Sequence, residues 1–244
     1  MKENLFVLRE NVPLTGSVWQ MDLEGDTSAI TAPGQFVNLR LEGKFLRRPI
    51  SVCDVEGDRL RLVYKVVGEG TRAMSGYEPG KSLDLLTGLG NGYDLAPAGD
   101  RPLLVGGGVG VPPLYLLCRR LVQQGRRPHV VLGFPSLEEA FYQREFLDLG
   151  ATVDLWTQDG SNGQKGLVTD GMKAAGEYTY VYTCGPEPML KAVWQLSETS
   201  GQFSFEERMG CGFGACMGCS CKTKYGSKRI CKDGPVLVKE EILW

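Results

Sequence analysis

The densest chemistry in the chain is Cys211-Gly-Phe-Gly-Ala-Cys216-Met-Gly-Cys219, followed by Cys231. This is C-x4-C-x2-C with a fourth cysteine downstream, the plant-type spacing for a [2Fe–2S] cluster. Four thiolates must converge on two irons while the backbone wraps close around them. Gly210, Gly212, Gly214 and Gly218 allow that approach and present N–H groups to sulfur, and Ala215 keeps bulk away. A structural zinc would call for a second C-x2-C or a Cys/His pair. The single histidine, His129, lies far off in sequence. Cys221 fits no ligand spacing and reads as a packing residue or a close neighbour of the cluster. Cys53, Cys118 and Cys184 are scattered, as small buried hydrophobes are. A disulfide framework would need an oxidising compartment.

Three weaker signals accompany the cysteines. Arg48-Pro49-Ile50-Ser51 offers a cationic fork to a pyrophosphate, a fixed backbone and a hydroxyl within reach of a flavin nitrogen. Taken alone, it equally suits an edge-strand proline beside a surface arginine. It gains weight from Gly68-Glu69-Gly70-Thr71, where a Gly-Thr opens a short helix and can meet an anion. Gly106-Gly107-Gly108-Val109-Gly110-Val111-Pro112 follows a strand and precedes a helix, the context of a nucleotide-binding turn, although it departs from G-x-G-x-x-G. Thr183-Cys184-Gly185-Pro186 puts a small thiol and a glycine at the end of a strand, at the sheet edge where ligands bind.

The elements that must position these residues fall into three stretches. Residues 1–99 read as short strands broken by Gly and Pro, at 5–9, 17–23, 36–41 and 59–67. Leu60, Leu62, Tyr64 and Val66 alternate on one face of the last, which predicts a small antiparallel barrel. Residues 100–202 alternate strands (103–105, 129–132, 152–156, 180–183) with helices (112–124, 137–149, 168–175, 186–198), which predicts a doubly wound α/β unit around a parallel sheet. Residues 203–244 are rich in Gly and Cys, with little helical periodicity. The expected fold class is therefore α+β multidomain.

Bulk properties narrow the function. The 244 residues are 42% hydrophobic and 23% charged, with a net charge of −2 and 33 glycines. Nothing in that balance suggests nucleic acid or an anionic membrane. No apolar run approaches the ~20 residues of a membrane span, and Met-Lys-Glu-Asn-Leu-Phe is no signal-peptide core, so a cytoplasmic location is expected. Acid–base equipment is sparse. A nicotinamide moves two electrons as hydride, a cluster moves one at a time, and a flavin does both, so a chain with all three sites converts between the two. The organic substrate is then oxidised on another chain.

R-P-I-S, G-G-G-V-G and C-G-P together resemble the ferredoxin-NADP reductase superfamily. The C-terminal cysteines narrow this, and end to end the chain resembles the electron-transfer subunits of class 1B, NAD-dependent, dihydroorotate dehydrogenase. Arg47 to Ser51, Gly68 to Thr71, Gly88-Leu89-Gly90-Asn91-Gly92 and Cys231-Lys232-Asp233-Gly234-Pro235 carry the likeness. The resemblance implies FAD on the barrel, touched by Arg48, Pro49, Ile50, Ser51, Val63, Tyr64, Lys65, Gly70 and Thr71. It implies NAD over Gly107, Gly108 and Gly110, with Cys184 and Gly185 near the nicotinamide, and a [2Fe–2S] cluster on Cys211, Cys216, Cys219 and Cys231. It also implies a partner: an FMN-containing catalytic subunit that oxidises dihydroorotate to orotate in pyrimidine synthesis, in a heterotetramer of two of each chain. The alternative is the small subunit of a ferredoxin:NADP transhydrogenase or a sulfide dehydrogenase. NADH preference over NADPH is expected, because Leu132-Gly133-Phe134-Pro135-Ser136 ends the second sheet strand without an arginine for a 2′-phosphate.

Overall fold

A computed structural model of the chain describes residues 1–162 and 164–244. Six strands close into an antiparallel barrel: β1 (Lys2–Pro13), β2 (Val18–Glu24), β3 (Phe36–Leu39), β4 (Arg48–Glu56), β5 (Arg59–Lys65) and β6 (Ser82–Leu89), in spatial order β1-β2-β5-β4-β3-β6. The short helix α1 (Glu69–Ser75) buries Met74 in the barrel core. Leu60, Leu62 and Tyr64 point into that core, as their alternation predicts. Val63, on the opposite face, is buried as well, because the next unit packs there. The strand β6 lies outside the expected set. Leu83 and Leu85 point into the barrel core, but Leu86 and Leu89 both pack into the apolar cluster outside it, which blurs the pattern.

The next unit runs β7 (Leu103–Gly107), α2 (Pro112–Gln123), β8 (His129–Phe134), α3 (Gln143–Asp148), β9 (Thr152–Thr157), α4 (Val168–Ala174), β10 (Val181–Cys184), α5 (Glu187–Leu196) and β11 (Gly201–Ser204). The cysteine-rich stretch adds a hairpin of β12 (Ser220–Thr223) and β13 (Gly226–Arg229), then β14 (Val236–Val238). The large sheet has the order β14-β11-β10-β7-β8-β9 and is parallel except for β14. The end of the cysteine-rich stretch is thus stitched into the nucleotide-type sheet.

The helix expected over 137–149 is broken. A single 3-10 turn spans Leu137–Glu139, Tyr142 is left-handed at φ +68°, and α3 starts only at Gln143. Tertiary contacts override helix propensity here. The Tyr142 hydroxyl donates to Gln20 Oε1 at 2.9 Å and accepts from Cys53 Sγ at 3.3 Å, tying this loop to the barrel. Arg119 of α2 makes a second tie, pairing with Asp54 Oδ1 at 2.6 Å and donating to the Val55 carbonyl at 2.5 Å. These links fix the cleft between barrel and sheet.

Candidate functional site

Two cavities open along that cleft. One, of about 310 Å³, is walled on the barrel side by Arg48, Pro49, Ile50 and Ser51 of β4, by Val63, Tyr64 and Lys65 of β5, and by Thr71 of α1. Gly70 stands behind the wall: a Cβ there would lie 2.6 Å from Arg48 Nε, so only glycine lets the guanidinium lie along the start of α1. Arg48 Nη1 is held by the Leu46 carbonyl at 2.6 Å. The Thr71 hydroxyl accepts from the Val67 and Gly68 N–H groups, which fixes the loop into α1. The barrel-side residues expected at a flavin site are therefore gathered around this one cavity. The opposite wall is Phe205, Glu206, Met209 and Pro235, which sequence reasoning missed. The available signal was position: Phe205-Glu206-Glu207 fills the short interval between β11 and Cys211.

The other cavity, of about 540 Å³, lies over the carboxyl ends of β7, β8 and β10 and includes Gly107, Gly108, Gly110 and Gly185. These glycines divide the work. A Cβ on Gly110 would run into the Cys184 carbonyl and the Gly185 nitrogen, so this glycine lets the turns after β7 and β10 touch. A Cβ on Gly107 or on Gly185 would lie 2.5 Å from the Met189 thioether. Gly108, at φ +53° with open space in front of it, is the one whose missing side chain faces room for a ligand. Gly133, Phe134 and Pro135, the strand end read in the sequence for the choice between NADH and NADPH, form the far wall together with Val168 and Thr169, which carry no charge or motif to mark them.

The two cavities share Lys65, Val109 and Glu206. Cys184 faces the smaller cavity and Gly185 the larger. Burial, with the charge of Glu206 added, pushes the Cys184 thiol up to about 12, so it is a neutral, compact filler and no nucleophile. Burial also raises the Glu206 carboxyl.

The cysteines fall into two pairs. The Cys216 thiol interacts with Cys211, and Cys211 Sγ accepts the Ala215 and Cys216 N–H groups at 3.3 and 3.4 Å. Burial alone would raise the Cys211 thiol, but the N–H donors of Cys216, Phe213 and Ala215 bring it down to about 6. Cys219 and Cys231 form the other pair, each 2% exposed, with the Cys231 N–H on Cys219 Sγ at 3.4 Å. Burial and the neighbouring Cys219 push Cys231 up to about 12. Among the described residues, no three His, Cys, Asp or Glu side chains surround a single ion. A zinc site needs one closed quartet, whereas a binuclear iron cluster takes two thiolates per iron, so paired cysteines suit the latter. Cys221 lies on the β12–β13 hairpin opposite Lys228 and packs against the apolar cluster beneath the sheet, as a packing residue would.

Neighbouring segments hold the pairs in place. Arg229 clamps Asp233 at 2.9 Å and donates to the Gly214 carbonyl at 3.0 Å, linking the Cys231 turn to the Cys211 loop. Asn91 of the Gly88–Gly92 stretch accepts the Val236 N–H, donates through its side chain to the Val236 carbonyl at 2.7 Å and the Asp233 carbonyl at 3.5 Å, and its own N–H bonds the Gly234 carbonyl at 2.7 Å. Phe213 and Met217 stand beside the outer pair, 43% and 56% exposed.

Comparison with known proteins follows the same division. Residues 206–243 match the family model for the iron–sulfur cluster binding domain of dihydroorotate dehydrogenase B, and residues 104–195 that of the oxidoreductase NAD-binding domain. The chain is 41% identical, over 100% of its length and 99% of the other, to a Geobacillus sp. (strain WCH70) protein named dihydroorotate dehydrogenase B (NAD(+)), electron transfer subunit. A Fusobacterium nucleatum protein of the same name is 40% identical, with 99% of each chain covered. Among solved structures, a chain of the NADH-dependent reduced ferredoxin-NADP oxidoreductase superposes with a TM-score of 0.90 at 29% identity, covering 98% of this chain and 90% of that one. The flavohemoglobin of Malassezia yamatoensis, with bound FAD and heme, shares the fold at a TM-score of 0.67 and 22% identity, over 80% of this chain and 56% of that one. No helix among the described residues is long and apolar enough to cross a membrane.

Proposed function

Since the chain belongs to the family of electron transfer subunits of NAD(+)-dependent dihydroorotate dehydrogenase B, we propose that it carries electrons from the FMN of a catalytic partner subunit, through a [2Fe–2S] cluster and FAD, to NAD(+). The chain is an oxidoreductase subunit, and its cofactors are FAD, an iron–sulfur cluster and NAD. The observation that carries the path is the succession of sites: the larger cavity meets the smaller at Lys65, Val109 and Glu206, and the smaller is closed by Met209, two residues before Cys211.

The residues present fit these groups. Arg48 supplies the fixed fork that a pyrophosphate requires, and Gly70 makes room for it. Ser51, Ile50, Tyr64 and Val63 wall the space for a flat ring system, and Thr71 stiffens the loop behind it. Gly108 leaves backbone open to a dinucleotide, while Gly107, Gly110, Cys184 and Gly185 bring the two turns close enough to seat a nicotinamide over the flavin space. FAD, when bound, exchanges a hydride with nicotinamide and single electrons with the cluster. Cys211 and Cys216 would hold the outer iron and Cys219 and Cys231 the inner one; the pairing of the thiols supports this assignment.

The exposed Phe213 and Met217 beside Cys216 support an interface there with the FMN-containing subunit, which burial of the outer pair would shield from water. We further propose two copies of each chain in the complex. Preference for NADH over NADPH is supported by Pro135 and Glu139 on the cavity wall, whose described residues include no arginine for a 2′-phosphate.

The likeness to the reduced ferredoxin-NADP oxidoreductase chain favours a second reading, service to a ferredoxin-linked partner. Its 29% identity against 41% makes this the lesser one. Partner identification separates the two. The chain alone should pass electrons from NADH to a dye but leave dihydroorotate untouched. Addition of the FMN subunit should create dihydroorotate-dependent NAD reduction, which stripping the cluster abolishes. Coupling at a normal rate without the cluster would overturn the proposed path.

A further inference from the structure

A polar side chain sits where a barrel strand would be expected to carry an apolar one. All four residues of β3 are buried. Val37 and Leu39 fill the barrel core, while Phe36 faces outward into the apolar cluster that contains Cys219, Ile230 and Cys231. Asn38 shares the outward direction by strand alternation and is 1% exposed. Burying an amide in such a seam is costly unless its hydrogen bonds are made. Asn38 makes one: Nδ2 donates to the Cys211 carbonyl at 3.2 Å. Its Oδ1 has no hydrogen-bond partner among the described residues. The chain thus retains a half-satisfied amide, and the single bond it forms ends on the first cluster cysteine.

The surroundings make that bond selective. Gly212 follows Cys211 at φ +79°, and a Cβ there would strike Asn38 Nδ2. The amide therefore lies flat against the bend that starts the cysteine loop. On the other side, β3 pairs with the flavin-cavity strand in the register Phe36↔Ser51, Val37↔Ile50, Asn38↔Pro49. Proline offers no N–H across that rung, and the Asn38 carbonyl is held instead by Arg47 Nη1 at 3.3 Å, which also grips Asp84. Asn38 is one hydrogen bond from a proposed cluster ligand and one strand from the wall of the flavin cavity.

We propose that Asn38 is a positioning residue that locks the cysteine loop onto β3, the strand paired with flavin-cavity strand β4, and so fixes the geometry for electron transfer between cluster and flavin. The inference rests on the assignment of Cys211 as a cluster ligand. A purely structural residue at this place would be replaced by an apolar one of like size with little loss, because removing the unmet Oδ1 offsets the lost bond. A positioning residue would not.

The test is Asn38→Leu in the full chain, reconstituted with flavin and cluster. Flavin content and the NADH–dye rate are expected to match the parent, since neither needs the loop. The electron paramagnetic resonance spectrum and midpoint potential of the reduced cluster are expected to shift. Transfer from reduced flavin to cluster should slow about five- to tenfold, the factor an ordinary hydrogen bond corresponds to. If Asn38→Leu loads no cluster, Asn38→Ala, which adds no bulk, is measured in the same way. A parental spectrum, potential and transfer rate in either loaded variant overturns the proposal. Loss of the cluster from both, with flavin and dye activity intact, supports it, and loss of flavin and fold from both overturns it in favour of a structural role. Absence of iron from the parent protein would instead overturn the ligand assignment, which keeps the two failures apart.

Discussion

Glycines around the larger cavity and glycines around the cysteines answer to different neighbours. Gly107, Gly110 and Gly185 are small because protein atoms already occupy the space: the Cys184 backbone or the Met189 thioether would meet any added carbon. That region is a finished surface, with β7, β8 and β10 packed beneath it, and its shape needs no ligand. In the cysteine loop, a Cβ at Gly210 or Gly218 would approach Cys216 Sγ at 3.3 and 3.5 Å, so these glycines clear room around sulfur. The loop has little core of its own. It hangs on Asn38 and Arg229, and its thiols leave bonding capacity for a metal to satisfy. One region is shaped by packing, the other by packing plus the bonds that iron would supply.

The largest effect that can break this contrast is removal of an inner thiol. Cys219→Ser or Cys231→Ser should lose nearly all iron and acid-labile sulfide while flavin and the NADH–dye reaction persist; collapse of dye activity as well would show that the two regions are not independent. Next, Gly110→Ala should lower the NADH–dye rate about 100-fold through displacement of the Cys184–Gly185 turn, with iron content unchanged. Arg48→Ala should weaken flavin binding by about tenfold or more, as loss of a charge-assisted bond does, read by equilibrium titration of deflavinated protein. In cluster-free protein, Cys211 should be the thiol that iodoacetamide labels first. Its pKa of about 6 leaves it ionised at pH 7, so the labelling rate should fall about tenfold between pH 7 and pH 5, whereas Cys231, at about 12, stays protonated throughout. The smallest effect belongs to Cys221→Ser, which should keep the cluster, since Cys221 lies on the hairpin and in neither pair.

Legibility followed the reach of each signal. Cysteine spacing is local, and so is the strand–glycine–helix context of Gly106 to Pro112. Both could be read directly. The barrel was legible where alternation was clean, at β5, and lost where an outward Leu86 faces the apolar cluster under the sheet and so breaks the alternation of β6. The helix expected over 137–149 failed because Tyr142 bonds across the cleft to Gln20 and Cys53, contacts that no local periodicity records.

By itself the sequence determined which chemistry the chain can hold. Thiolates at C-x4-C-x2-C spacing, an arginine before proline, and a glycine run after a strand are choices of residue type, and residue type sets what can be bound. The tertiary structure alone decided adjacency. It set Phe205, Glu206 and Met209 against the barrel strands, brought Gly110 onto Cys184, and put Asn38 beneath Cys211 across 173 residues of chain. Electron transfer depends on distances between groups, and distances between remote segments are fixed by packing, which a linear order of residues does not contain.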